Sequence, residues 1–512
     1  MLPAETSASP LSFFEKLHSR GTARGGVLME SAARGSPVGV RSLVVPEGVV
    51  RLVIRGERAF YTPLSALGLR LVECLRSRLE GSLSSNGTLL ATFPVGPGEP
   101  EQTDAERIRA PSLLDGVRHL VGLVEDATVD LSPPPGVYGA FSFDLVDRWE
   151  DLPRRRPDVF QEPDLNLVLA LDTVVFDHLR GEVRVITRFL DTNDEAEADE
   201  RHRRYVATLE DRVFSRTPTR PSNSSGPEKD VEADVSDDDF MESVRKFLRH
   251  IHAGDIFQGV LSRGLTMHSG ASTLDVYRTL RESNPSPYMF HIDVGDGVLM
   301  GASPETCIKV EEDRLEIRPI AGTAPRGFRA DGSLDQDLDG RLSIGLLLDD
   351  KEQAEHVMLV DLARNDVARV SVPGTREVTD PFSIEKYSHV QHLVSRVRGT
   401  LLPDLDALHA YRASANMGTL TGAPKLRAME LIRENEPHAR GFYGGAVGYL
   451  LQDGSFDSCI VIRAMRHRNG VYFTRAGAGI VADSRPEREL EETTHKARAC
   501  RLAVAMAERM GP

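Results

Sequence analysis

The chain has 512 residues, 40% of them hydrophobic and 27% charged, a balance that suits soluble globular domains and argues against wholesale disorder. Its length suggests roughly two to four domains. A formal net charge of -15 argues against nucleic acid or an anionic membrane as the main partner, because both demand a basic footprint.

The N-terminus lacks the basic-then-apolar order of a secretory signal, and no stretch approaches the length of a membrane span, so a cytoplasmic location is expected. Cys74, Cys307, Cys459 and Cys500 lie far apart without CxxC spacing, and reduced thiols are expected. Between residues 14 and 214, short β-branched runs such as RSLVVP, VVRLVIRG and VRVITRFL mix with helical stretches such as LGLRLVECLRSRLEG. This is an α+β texture with hairpins. Residues 215–236 are rich in Pro, Ser and acids with little to bury, and read as a linker between domains over 1–214 and 237–512.

Beyond the linker, Ser236 and Asp237 are cap candidates for an amphipathic helix. Phe240, Val244, Phe247, Leu248 and Ile251 form its apolar face, and Gly254 ends it. The runs GVLSRGLTM, YMFHIDV, GVLMGA and CIKVEEDRLEIRPI follow as strands in adjacent pairs, favouring antiparallel sheets over a doubly wound one. RPIAGTAPRG, which closes the last of these, reads as a strand running into a turn, with the unreactive Ala321 at its centre.

Two later segments carry paired acids at helical spacing. DDKEQAEHVMLVDLARND holds Glu352 and Glu355, and RPERELEETTHKARACRLAVAMAERM holds Glu489 and Glu492, with Pro486 in its first turn. Carboxylates three residues apart share a helix face and repel, so bringing two such faces together calls for a cation. Oxygen-only ligands point to Mg²⁺, and Lys496 lies one turn beyond Glu492. FYGGAVGYL and FTRAGAGIVADS read as glycine-interrupted strands, as where backbone approaches a ligand, and Arg463 alternates along the strand pattern of CIVIRAM. MGTLTGAPKLRAMELI places Thr419, Gly422 and Lys425 at a helix entrance, where free N–H groups favour anions.

RPIAGTAPRG, EHVMLVDLARND, GTLTGAPKLRAMELI, GFYGGAVGYL and AGAGIVADS followed by ELEETTHKARA, in this order, resemble the chorismate-utilising enzymes, most of all the aminase subunit of anthranilate synthase. The resemblance is dense from about residue 237 to 506 and weaker before it. It implies an α+β fold of two orthogonally packed antiparallel β-sheets forming a sandwich with helices outside. It implies Mg²⁺ on Glu355 and Glu492, with Glu352 and Glu489 nearby. It places chorismate against Gly322, Thr323, Tyr443, Arg463, Gly477, Ala478, Gly479 and Lys496.

The same resemblance makes Glu305, His392 and Thr419 catalytic, with Glu305 as proton donor to the departing hydroxyl and His392 as base for pyruvate loss. Ala321 and Gln258 stand where relatives of other specificity carry lysines, which leaves free ammonia as the nucleophile. Glu30, Ser31, Pro287, Tyr288 and Met289 match a tryptophan effector site. Met29 there replaces a usual leucine, Ala324 a common arginine and Gly259 a common valine.

The implied activity is conversion of chorismate and ammonia to anthranilate and pyruvate, inhibited by L-tryptophan. No glutamine amidotransferase region follows the C-terminal helix, so a separate subunit in a heterotetramer is expected to supply ammonia. A phenazine-type aminodeoxyisochorismate synthase and a non-catalytic tryptophan-sensing or assembly subunit are the alternatives.

Overall fold

The computed structural model describes residues 9–19, 24–31, 41–96, 98–99, 101–124, 132–153, 156–191, 194–211, 231–329, 331–387 and 390–510. Among them two antiparallel sheets form, of 11 and 13 strands. In the first, Val27–Glu30 pairs with Tyr288–Asp293, which leads through Val298–Ser303, Ala464–Arg468 and Val471–Ile480 to Gln258–His268. In the second, Ile320–Pro325 and Val390–Thr400 lead through Arg314–Ile317, Thr306–Glu311, Phe456–Ile460 and Ala446–Leu451 to Gly136–Phe141, Leu165–Ala170 and Val50–Arg55.

The sheets pack face to face. Val27, Phe290, Ile292 and Leu299 of the first meet Tyr138, Ala140, Val447 and Cys459 of the second in one buried cluster. The outer face of the first sheet is covered by helices carrying Phe13, Tyr277, Cys500 and Val504, and that of the second by helices carrying Leu71, Leu75, Val367 and Leu408. Gly136–Phe141 and Leu165–Ala170 are buried along their whole length, as strands covered on both faces must be. Burying each large apolar side chain contributes about 1.5–3 kcal/mol before conformational entropy opposes it.

Both sheets draw strands from either side of the expected linker. Most of that linker lies outside the described residues, but Glu232–Ala233 at its end pairs with Gln258–His268. The helix after it runs Asp237–His252, with Ser236 Oγ accepting from Asp239 N and Gly254 at φ +84 beyond its end. Phe240, Val244 and Phe247 are buried there, while Leu248 and Ile251 are only partly covered.

The acid-bearing helices are Asp350–Ala368 and Pro486–Met510. The first buries Leu359, Ala363 and Val367 but leaves Val357 47% exposed, so it is only partly enclosed. The second buries Ala497, Cys500, Ala503, Val504 and Ala507, small residues that let it lie close on strand Val471–Ile480. That strand is continuous through its glycines rather than interrupted by them. In FYGGAVGYL the strand begins only at Ala446, with turns before it. Arg463 is likewise no strand residue: it sits between Phe456–Ile460 and Ala464–Arg468 at φ +50.

Candidate active site

Glu305 links strands Val298–Ser303 and Thr306–Glu311 and is buried, 8% exposed. Thr419 Oγ1 donates to its Oε1 at 2.8 Å. Burial lifts its carboxyl from 4.5 to about 7, against the opposing pull of the Thr419 hydrogen bond, Lys496 and Arg463. Near neutrality this carboxyl therefore holds a proton for a large part of the time, as a general acid requires.

His392 lies on Val390–Thr400 opposite Thr323. It is 4% exposed, and burial, with the Arg463 charge, pulls it down to about 4, so it is neutral at pH 7. Its Nδ1 is 3.2 Å from Gly322 O and 3.0 Å from Thr323 Oγ1. A carbonyl can only accept, so we assign the proton to Nδ1, which leaves Nε2 as the basic nitrogen.

Gly322 is the extra residue of a bulge: Ala321 pairs with Leu393 and Thr323 with His392. At φ +65 it occupies left-handed space, and a Cβ there would stand 2.8 Å from Glu352 Oε2. The bulge thus seats His392 beside the first acidic helix. On strand Val471–Ile480, a Cβ on Gly477 would come within 2.8 Å of Tyr443 Oη and 3.0 Å of Leu261 O. One on Gly479 would meet Gln258 Nε2 at 2.9 Å. Lys496 Nζ donates to Gly477 O at 3.0 Å and pairs with Glu492 at 2.7 Å.

Arg463 completes the group. Among the described residues its guanidinium has no ion pair, although it acts electrostatically on both Glu305 and His392. A half-buried cation without a counter-ion, in strained left-handed backbone, is poised for an anion. Lys425 is different. Expected at an anion-binding helix entrance, it is spent on buried Asp366, at 2.9 Å and 3.1 Å.

The two acid pairs face each other. Burial first, then Glu355, with Glu492 contributing, raises the Glu352 carboxyl; burial, with Glu492 and Glu489, raises that of Glu355. Among the described residues no group of three or more His, Cys, Asp or Glu encloses a metal. The donor set is nonetheless all oxygen and mutually repelling, and magnesium takes only one or two carboxylates directly, so these residues fit it. His356, next to Glu355, points away and bonds Ser395 Oγ at 2.6 Å.

A cavity of about 300 Å³ lies between the sheets, lined by Met29, Glu30, Ser31, Pro287, Tyr288 and Met289 among others. Glu30 is held by Tyr277 Oη at 2.8 Å and Arg281 Nε at 3.1 Å. Tyr449, Asp453 and Asp457 also line it; they sit on a distant hairpin and carry no local sequence signal. Arg440, equally unforeseen, is buried against Glu436 at 2.6 Å and lies 5.6 Å over the Tyr443 ring, fixing that residue.

Residues 80–501 match the family model described as chorismate binding enzyme. The chain is 41% identical over 507 residues to anthranilate synthase component 1 of Escherichia coli, covering 98% of this chain and 95% of that protein. It is 42% identical over 468 residues to the pyocyanine-specific anthranilate synthase component 1 of Pseudomonas aeruginosa, covering 90% and 84%. The crystal structure of anthranilate synthase component I from Streptococcus pneumoniae superposes with a TM-score of 0.72 at 29% identity, over 90% of this chain and 92% of that one.

Proposed function

The chain belongs to the chorismate binding enzyme family, and from that premise we propose that it is the aminase subunit of an anthranilate synthase, converting chorismate and ammonia to anthranilate, pyruvate and water. The observation that carries the reading is that Glu305, buried and able to hold a proton near neutrality, and His392, buried and neutral, are both under the field of Arg463, which has no ion pair among the described residues.

Arg463 takes the enolpyruvyl carboxylate as a two-pronged donor. The backbone of Gly477, Ala478 and Gly479 lies along the ring, with Tyr443 and Lys496 behind it, and Gly322 and Thr323 close the other side. A magnesium ion held by Glu355 and Glu492, with Glu352 and Glu489 beside them, would clamp the ring carboxylate and offset the repulsion of the four acids. Ammonia attacks C2 as the C4 hydroxyl leaves with the proton of Glu305, whose orientation Thr419 fixes. His392 Nε2 then removes the C2 proton, the C3–O bond breaks to release pyruvate, and the ring becomes aromatic. Ala321 and Gln258 supply no amine that could attack in place of ammonia.

Ammonia comes from glutamine through a separate amidotransferase subunit, as relatives named component 1 suggest, in a cytoplasmic heterotetramer. Tryptophan occupies the cavity at Glu30, Ser31, Pro287, Tyr288 and Met289 and inhibits. The test is turnover of the purified chain: chorismate is consumed with ammonium and magnesium, but not with glutamine in place of ammonium. Glutamine-driven turnover by this chain alone overturns the division of labour.

A further inference from the structure

The segment carrying Glu305 is not secured by a regular ladder. Pairing of Thr306–Glu311 with Phe456–Ile460 slips between Thr306 and Ile308, so the residues around the acid rely on particular side-chain bonds. One residue engages both flanks of Glu305, through its backbone on one side and its side chain on the other. Tyr288 is the ladder partner of Ser303, whose Oγ accepts from Glu305 N at 3.3 Å. On the other flank, Tyr288 Oη lies 3.1 Å from Thr306 Oγ1.

The direction of these bonds follows from the number of protons available. Tyr288 Oη donates its single proton to Asp457 Oδ1 at 3.0 Å, so the Thr306 hydroxyl must donate to Tyr288. Thr306, Tyr288 and Asp457 thus form a directional chain in which each bond polarises the next. Asp457 and Tyr288 line the effector cavity, whereas Thr306 adjoins the acid. Ile460 N also donates to Glu305 O at 3.0 Å, tying the acid to the strand that bears Asp457.

We propose that Thr306, Tyr288 and Asp457 are positioning residues that hold Glu305 in register with Thr419, and that occupation of the cavity is transmitted to the acid through this chain. The inference rests on the reading of Glu305 as proton donor and of the cavity as the tryptophan site. An occupant contacting Tyr288 or Asp457 changes the partners available to the Tyr288 hydroxyl. It inhibits by favouring a placement of the Glu305 segment that no longer aims the carboxyl at the leaving hydroxyl.

The test is Thr306→Val, which keeps the shape and removes the hydroxyl, with Thr306→Ser as the conservative variant. For Thr306→Val, kcat with ammonia falls about tenfold while KM for chorismate changes by less than about threefold, because positioning is lost and binding is not. Tryptophan still binds by calorimetry, yet the concentration needed to inhibit rises about tenfold or more, within the usual range of coupling between sites. Thr306→Ser restores both. Thr306→Ala removes the same hydroxyl without altering a residue that lines the cavity and uncouples binding from inhibition in the same way, so the idea stays testable if Thr306→Val does not fold. Unchanged kcat and undiminished inhibition in a folded Thr306→Val chain that binds tryptophan overturn the relay alone. Absence of tryptophan binding to the unaltered chain overturns the effector reading and the transmission with it.

Discussion

Replacing Glu305 with glutamine should cost activity and add stability, an opposition that separates a poised acid from a structural carboxylate. At 8% exposure the carboxyl is lifted by burial from 4.5 to about 7. Below pH 4.5 it is protonated in both folded and unfolded chains and imposes no penalty. As pH rises toward 7 the unfolded chain ionises first, and the folded state loses relative stability until its own carboxyl ionises. At roughly 1.4 kcal/mol per tenfold change in acidity, the full penalty above pH 7 is about 3 kcal/mol.

Glutamine keeps the shape and an acceptor for Thr419 but carries neither the charge nor the acidic proton. Glu305→Gln should therefore lower kcat by about 10²–10⁴-fold, the usual contribution of a general acid, followed by anthranilate fluorescence with ammonium, chorismate and magnesium. In urea unfolding at pH 8 it should exceed the parent by up to about 3 kcal/mol, with the gap closing toward pH 4.5. Activity within tenfold of the parent, or a stability gap independent of pH, would refute the reasoning.

At constant free ammonia, kcat/KM should rise with pH through about 4 as His392 loses its proton and fall above about 7 as Glu305 ionises. Thr419→Val removes a hydrogen bond that favours the charged carboxylate, so the alkaline limb should move to higher pH; a limb that stays put dissociates Thr419 from the acid. Arg463→Ala should lower kcat/KM by roughly 10–100-fold, the worth of a charged hydrogen-bond pair, with little loss in melting temperature because among the described residues it forms no ion pair. Glu355→Gln and Glu492→Gln should each raise the magnesium concentration for half-maximal rate about tenfold or more, as a titration after chelator treatment would show. Glu30→Ala strands the buried Tyr277 hydroxyl; unfolding should show a loss of about 1–3 kcal/mol, and inhibition assays a loss of tryptophan sensitivity.

What could be read from the sequence was local or carried by long motifs. Ser236 as a cap, Pro486 in a first turn and the paired glutamates on helix faces depend on spacings of a few residues, and the structure has them where periodicity places them. The sandwich followed from the resemblance, since its pairings, such as Val27–Glu30 on Tyr288–Asp293, join residues far apart in the chain. Conformation and partner choice were less legible. Arg463 looked like an alternating strand residue, yet its left-handed backbone lifts it out of the ladder. Lys425 looked available at a helix entrance, yet buried Asp366 claims it, and that partner lies on another helix. Asp457 gave no signal because only the folded hairpin brings it to Tyr288.

The central claim is tested most directly by the products of the purified chain given chorismate, magnesium and ¹⁵N-ammonium, separated and weighed by mass spectrometry. The account predicts ¹⁵N-anthranilate and pyruvate in equal amounts. An aminated product that retains its enolpyruvyl group, an isochorismate product without nitrogen, or intact chorismate would contradict it.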